Sequence, residues 1–147
     1  MEKKLRQIAV LAALSWPQLL WAAPSAVTTD STVFVERRET DAGRRLEMTD
    51  TFDKGDRVVT VLRWQRRQGT GGFTITNPMP RAIAYQDSSL DDEDVSIDGG
   101  KTWGRLGQLK IGNRLASPED VTHVRWRISP KVAALGRGQI AYSGIVR

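Results

Sequence analysis

The stretch Arg57-Val58-Val59-Thr60-Val61-Leu62-Arg63-Trp64-Gln65 decides the fold. Side chains alternate across a β-strand, so Val58, Thr60, Leu62 and Trp64 share one face and Arg57, Val59, Val61, Arg63 and Gln65 the other. The first set is the predicted core face. The same period of two returns in residues 121–128, where Val124, Trp126 and Ile128 face one way and His123, Arg125 and Arg127 the other. No amphipathic helix is predicted after residue 26, because no segment there sustains a 3.6-residue apolar period.

Working outward, Gly69, Gly71 and Gly72 mark a turn, followed by a strand over residues 73–76. Asn77-Pro78-Met79-Pro80 closes that strand, since two prolines within three residues do not fit a central strand. Residues 33–35 open a first strand and residues 45–49 a second. Residues 83–85 form a further short strand before a polar, acidic loop over residues 87–94. Residues 95–97 and 102–106 flank Asp98-Gly99-Gly100-Lys101, which reads as a hairpin turn. Residues 139–146 close the chain, with Ile140, Tyr142, Gly144 and Val146 on one face. Short strands broken by closely spaced turn signals, with no strand–helix–strand rhythm and no internal repeat, predict an all-β sandwich of about seven to nine strands in two antiparallel sheets. The predicted sandwich covers residues 31–147, after a flexible segment over residues 23–30.

Residues 1–22 read as a secretory signal peptide. Lys3, Lys4 and Arg6 form its basic start, and an apolar run from Ile8 to Leu14 continues through Leu19, Leu20 and Trp21. Pro17 and the short apolar length argue against a permanent membrane span, which needs about 20 apolar residues. Leu20 and Ala22 occupy the positions a signal peptidase reads, so cleavage is expected after Ala22, with Ser25 as the second choice. The whole chain has 147 residues and a formal net charge of +5. Loss of residues 1–22 removes three basic residues and Glu2, leaving 19 Lys+Arg against 16 Asp+Glu, a net of +3. The chain has no cysteine and one histidine. That excludes disulfides, thiolate metal sites, cysteine nucleophiles and multi-histidine metal centres.

The order of motifs over residues 53–147 resembles a bacterial immunoglobulin-like conserved-repeat domain of unknown function, found often in tandem in secreted and surface proteins. Lys54-Gly55-Asp56 precedes the strand ending at Trp64. Phe73-Thr74-Ile75-Thr76-Asn77-Pro78-Met79-Pro80 is similar to the family's proline-bounded corner, and Ala82-Ile83-Ala84-Tyr85 follows as it does there. Val95-Ser96-Ile97-Asp98-Gly99-Gly100-Lys101-Thr102-Trp103 resembles the family's Asp-Gly-Gly hairpin, and Val121-Thr122-His123-Val124-Arg125-Trp126 its next strand. Ala134-Leu135-Gly136 stands where the family turns into its last strand. Gln65-Arg66-Arg67-Gln68 departs from the Asn-Thr-Gly turn usual there, and this chain carries one copy. The resemblance implies an immunoglobulin-like sandwich and no enzymatic activity.

Four groups of side chains are candidates for function. Ser96, Asp98, Gly100, Thr102 and Trp103 also resemble an Asp-box, a structural turn in which the carboxylate bonds turn amides and the indole packs beneath the hairpin. His123 is the one imidazole able to act as a base, but no Gly-x-Ser-x-Gly elbow accompanies it, so no catalytic residue is expected. Asp91, Asp92 and Asp94 are the residues that would serve Ca²⁺, with Asp87 and Asp98 near in sequence. Their consecutive spacing lacks calcium-loop geometry, and no metal or other cofactor is expected. Sixteen arginines against six lysines form small clusters, expected to pair with Glu36, Glu39, Asp53 or Asp56 on solvated faces.

These readings predict a periplasmic or secreted, non-enzymatic module that meets a protein partner in the cell envelope. Nucleic acid is not an expected partner, because acids interleave with the arginines and export removes it. The alternative is a carbohydrate- or Ca²⁺-binding surface module.

Overall fold

The computed structural model describes residues 26–39 and 43–147. The expected signal segment, residues 1–22, and its cleavage site at Ala22 lie outside the described residues. The fold is a two-sheet antiparallel β-sandwich. A five-stranded sheet is built from β1 (Val27–Glu39), β2 (Gly43–Glu47), β3 (Arg57–Arg66), β5 (Ile83–Ser88) and β10 (Arg137–Val146), in the order β2-β1-β3-β10-β5. A three-stranded sheet has β9 (His123–Ile128) between β4 (Phe73–Pro78) and β6 (Asp94–Ser96). A separate hairpin pairs β7 (Lys110–Ile111) with β8 (Arg114–Leu115).

The alternation in β3 works as the sequence dictates. Val58, Thr60, Leu62 and Trp64 are all buried, while Arg63 and Gln65 are exposed. Val124, Trp126 and Ile128 on β9 are buried opposite them. Two tryptophans join the layers. Trp64 of β3 meets Phe73 of β4 edge to face, with ring centroids 5.1 Å apart. Trp126 of β9 lies 5.4 Å from Tyr142 of β10 and donates its indole N–H to Ser88 Oγ of β5 at 2.8 Å. The Tyr142 hydroxyl accepts from Asn77 Nδ2 at 2.6 Å, so the proline corner is tied to the core as well.

Gly138 is needed for this packing. A Cβ there would stand 2.5 Å from the Trp64 ring, inside any real contact distance. β10 crosses Trp64 at that point, in register with it.

The structure differs from the sequence reading in several places. β1 begins at Val27, so residues 27–30, expected in a flexible lead-in, are strand. They form because β3 extends to Arg66 and offers partners along its whole length. Residues 102–106 are not a strand. Their pairing shrinks to one bridge, in which Val95 and Gly104 exchange two backbone hydrogen bonds of 2.9 and 3.1 Å. A single helical turn, α1 (Pro130–Ala133), appears where none was expected. Pro130 at its first position and the Ser129 side chain accepting from the Val132 amide start it. The β7–β8 hairpin was also missed, although Gly112-Asn113 is a two-residue turn signal and Gly112 has φ +59°.

Trp126 is fully buried and its N–H is bonded. Trp126→Ala is expected to lower unfolding free energy by about 3–5 kcal/mol in a urea titration. A loss below about 1 kcal/mol, the level of surface substitutions, would contradict the packing described.

Candidate functional site

The hairpin between β6 and β9 was singled out by sequence, and its hydrogen bonds explain each residue in it. Ser96 is wholly buried, and its Oγ accepts from the Gly100 amide at 2.8 Å while donating to Asp98 Oδ1 at 2.8 Å. Asp98 Oδ1 also accepts from the amides of Lys101 and Thr102, at 3.1 and 2.9 Å, and Oδ2 accepts from the Thr102 hydroxyl at 2.7 Å. Gly99 and Gly100 take φ of +79° and +88°, which side chains with a Cβ rarely adopt. Thr122 fastens the loop to β9: its hydroxyl accepts from the Gly99 amide at 3.0 Å and its amide donates to Ser96 O at 2.8 Å. The loop satisfies its own polar groups.

Trp103 lies against this turn. Its ring is half-buried and does not join the buried core. Its N–H donates to Gly100 O at 3.0 Å, and the Arg125 guanidinium lies 4.3 Å from the ring centroid. The turn therefore delivers an indole onto the outer face of the three-stranded sheet. There β9 presents His123, Arg125 and Arg127, β4 presents Thr74 and Thr76, and β6 presents Asp94. Arg125 donates to Asp94 Oδ2 at 2.8 Å, and Arg127 donates to the same oxygen. His123 stands edge to face with Trp103, centroids 6.4 Å apart, and its Nδ1 is 3.1 Å from Thr122 Oγ1.

Two carboxylates here titrate abnormally, for different reasons. Partial burial alone raises the Asp94 pKa, but the two guanidiniums outweigh it and hold the carboxyl below its ordinary value. Asp98 is held well below the carboxylate range mainly by the Thr102 amide and hydroxyl, with Ser96 and Lys101 adding to them.

The acidic loop does not converge. Glu93 accepts from the Tyr85 hydroxyl at 3.1 Å and faces Arg105 at 3.8 Å. Burial and the neighbouring Glu93 raise the Tyr85 pKa strongly, so this phenol stays protonated and donates. Asp94 turns the other way, to Arg125 and Arg127, while Asp91 and Asp92 are exposed. Among the described residues no three His, Cys, Asp or Glu side chains stand together as a metal site. Among the described residues, too, no helix is long and apolar enough to cross a membrane.

No family model, curated protein or solved structure matches this chain.

Sequence reasoning found the turn residues and missed their neighbours. Arg125 and Asp94 are 31 positions apart and meet only through the β6–β9 register. A second such arrangement went unnoticed: Arg114 grips Asp120 with two bonds of 2.7 and 2.8 Å, and Asp120 also accepts from the Ser117 amide at 2.7 Å. The Asp120 pKa is held far below normal, chiefly by Arg114 and then by Ser117.

A carboxylate depressed in the folded state contributes stability that is complete above its unfolded pKa of about 3.9 and is lost as pH falls through the folded value. Unfolding free energy should therefore fall as pH drops below about 4. The decline should be shallower in an Asp98→Asn, Asp120→Asn double variant, read by urea titration at several pH values. Equal acid slopes in both proteins would contradict the depressed titrations.

Proposed function

We propose that the chain is an exported, non-enzymatic module of the periplasm or cell surface that takes up a protein partner by strand addition. The order of its motifs, which resembles the immunoglobulin-like repeat domain, supports the envelope setting. The observation that carries the reading is an unpaired stretch of β1. β2 pairs only with residues 35–39 of β1, while β3 pairs with residues 27–36. Over residues 28–34 the far side of β1 has no strand beside it among the described residues.

The direction of the free groups follows from one bond. The Ala26 carbonyl accepts from the Arg67 amide at 2.9 Å, extending the β1–β3 ladder by one pair. In an antiparallel ladder the N–H and C=O of one residue point the same way, and successive residues alternate. Even-numbered residues of β1 thus bond β3, and Thr29, Ser31 and Val33 turn their backbone groups outward. A row of such groups is a template for an added strand.

Three other edges are guarded. β2 carries Arg44, Arg45 and Glu47, charges that oppose edge pairing. The outer side of β6 is occupied by Gly104. On β4 the Met79 amide donates to Thr122 O, so Pro78, which has no N–H, falls on the outward side. The unpaired part of β1, Thr28-Thr29-Asp30-Ser31-Thr32-Val33-Phe34, has one charge and no proline.

Ser31→Pro removes an outward N–H without touching a bond to β3. In a pull-down from periplasmic extract, a protein captured by the native chain should be lost with Ser31→Pro and kept with Gln108→Ala, both variants melting close to the native temperature. Equal capture by Ser31→Pro would show that the partner is held elsewhere.

A further inference from the structure

Charge in this chain is segregated along the sequence. Residues 57–86 hold five arginines and no acid, and residues 121–147 hold four arginines, one lysine and no acid. These segments supply β3 and β10, the neighbours at the centre of the five-stranded sheet. Where β3 ends and β10 begins, Arg63 stands opposite Gln139 and Gln65 opposite Arg137. All four belong to the outward alternation, since Leu62, Trp64, Gly138 and Ile140 take the inward one. The result is a checkerboard of two guanidiniums and two carboxamides, with the arginines on one diagonal at a backbone spacing of about 7–8 Å.

Several other arginines have carboxylates. Arg37 pairs with Asp56, Arg44 and Arg57 with Glu36, Arg114 with Asp120, and Arg125 and Arg127 with Asp94. Arg63 reaches only a neutral hydroxyl, Thr32 Oγ1 at 3.3 Å, and among the described residues neither Arg63 nor Arg137 has an ion pair. The surface around them is a shallow, open depression of about 350 Å³ between β3 and β10. A second depression of about 240 Å³ continues across Arg63 and Gln65 to Thr28 and Thr29 of β1. Asp30 lines this side as its one acid.

We propose that this face binds a carboxylated polysaccharide. Charge complementarity selects an anion, because two guanidiniums share one acid, Asp30 opposite Arg63 on β1, and neither is in an ion pair with it. The fork of N–H donors on arginine matches a carboxylate in a bidentate pair. Gln65 and Gln139 offer a donor and an acceptor each, as do the threonine hydroxyls, and these suit sugar hydroxyls between the charges. The openness and length of the two joined depressions suit an extended polymer. This surface reaches the β1 edge at Thr28 and Thr29, but its two arginines lie on β3 and β10, and neither reading depends on the other.

The test uses the chain lacking residues 1–22 and titrates it with polygalacturonate, with neutral dextran, and with vesicles containing anionic phospholipid. Binding to polygalacturonate and not to dextran is expected, weakening as salt rises from about 50 to 300 mM. Arg63→Gln with Arg137→Gln should weaken it by about tenfold or more, as loss of a charge-assisted pair predicts. Arg81→Gln with Arg147→Gln makes the same change of net charge at the other end of β10 and should leave affinity within about twofold. Gln65→Ala with Gln139→Ala should weaken binding while leaving the salt slope unaltered. Equal losses in the two arginine pairs would overturn the proposal in favour of non-specific charge. So would binding to anionic vesicles without binding to polygalacturonate, or no binding to any of the three.

Discussion

Trp64 fits only because residue 138 has no side chain, and the rest of the sandwich depends on that fit. A Cβ at Gly138 would penetrate the indole at 2.5 Å. With glycine there, β10 runs flat across Trp64, and the ring is free to meet Phe73 of the opposite sheet. The position of β10 then sets Tyr142 under Trp126 and brings Ser88 of β5 to the indole N–H. Without cysteine, this contact set does the work that cross-links do in many exported domains.

The two sheets are unequal, and that inequality leaves free surface. The contacts between layers join the three-stranded sheet to β3, β10 and β5. On the other side of β3, β2 is exposed throughout and Val33 of β1 is 37% exposed although it alternates inward. The outer face of the three-stranded sheet is closed by its own charges, with Arg125 laid on Trp103 and tied to Asp94. The outer face of the five-stranded sheet is not closed in this way, since Arg63 and Arg137 lack such partners.

The strands with a strict period of two, β3 and β9, were readable because burial on one face is written directly into the sequence. The turn at Asp98 was readable because Ser96, Asp98 and Thr102 satisfy one another within a few residues. Anything set by register was not. The pairing of Arg125 with Asp94, the stack on Trp103, and the alignment of Arg63 with Gln139 each join residues distant in the chain. The start of β1 was misplaced for a related reason. Thr28-Thr29-Asp30-Ser31 is polar and reads as a loop, yet β3 offers it a full ladder of backbone partners. The open side of β1 follows from where β2 turns away, which no local pattern encodes.

Amide hydrogen exchange at β1, read residue by residue, tests the open edge most directly. The account requires alternation: the amides of Thr28, Asp30 and Thr32, bonded to β3, should be protected, and those of Thr29, Ser31 and Val33 should exchange as open amides do. Equal protection of both sets in the isolated chain would mean that a strand already lies along β1, and the edge would not be available to a partner.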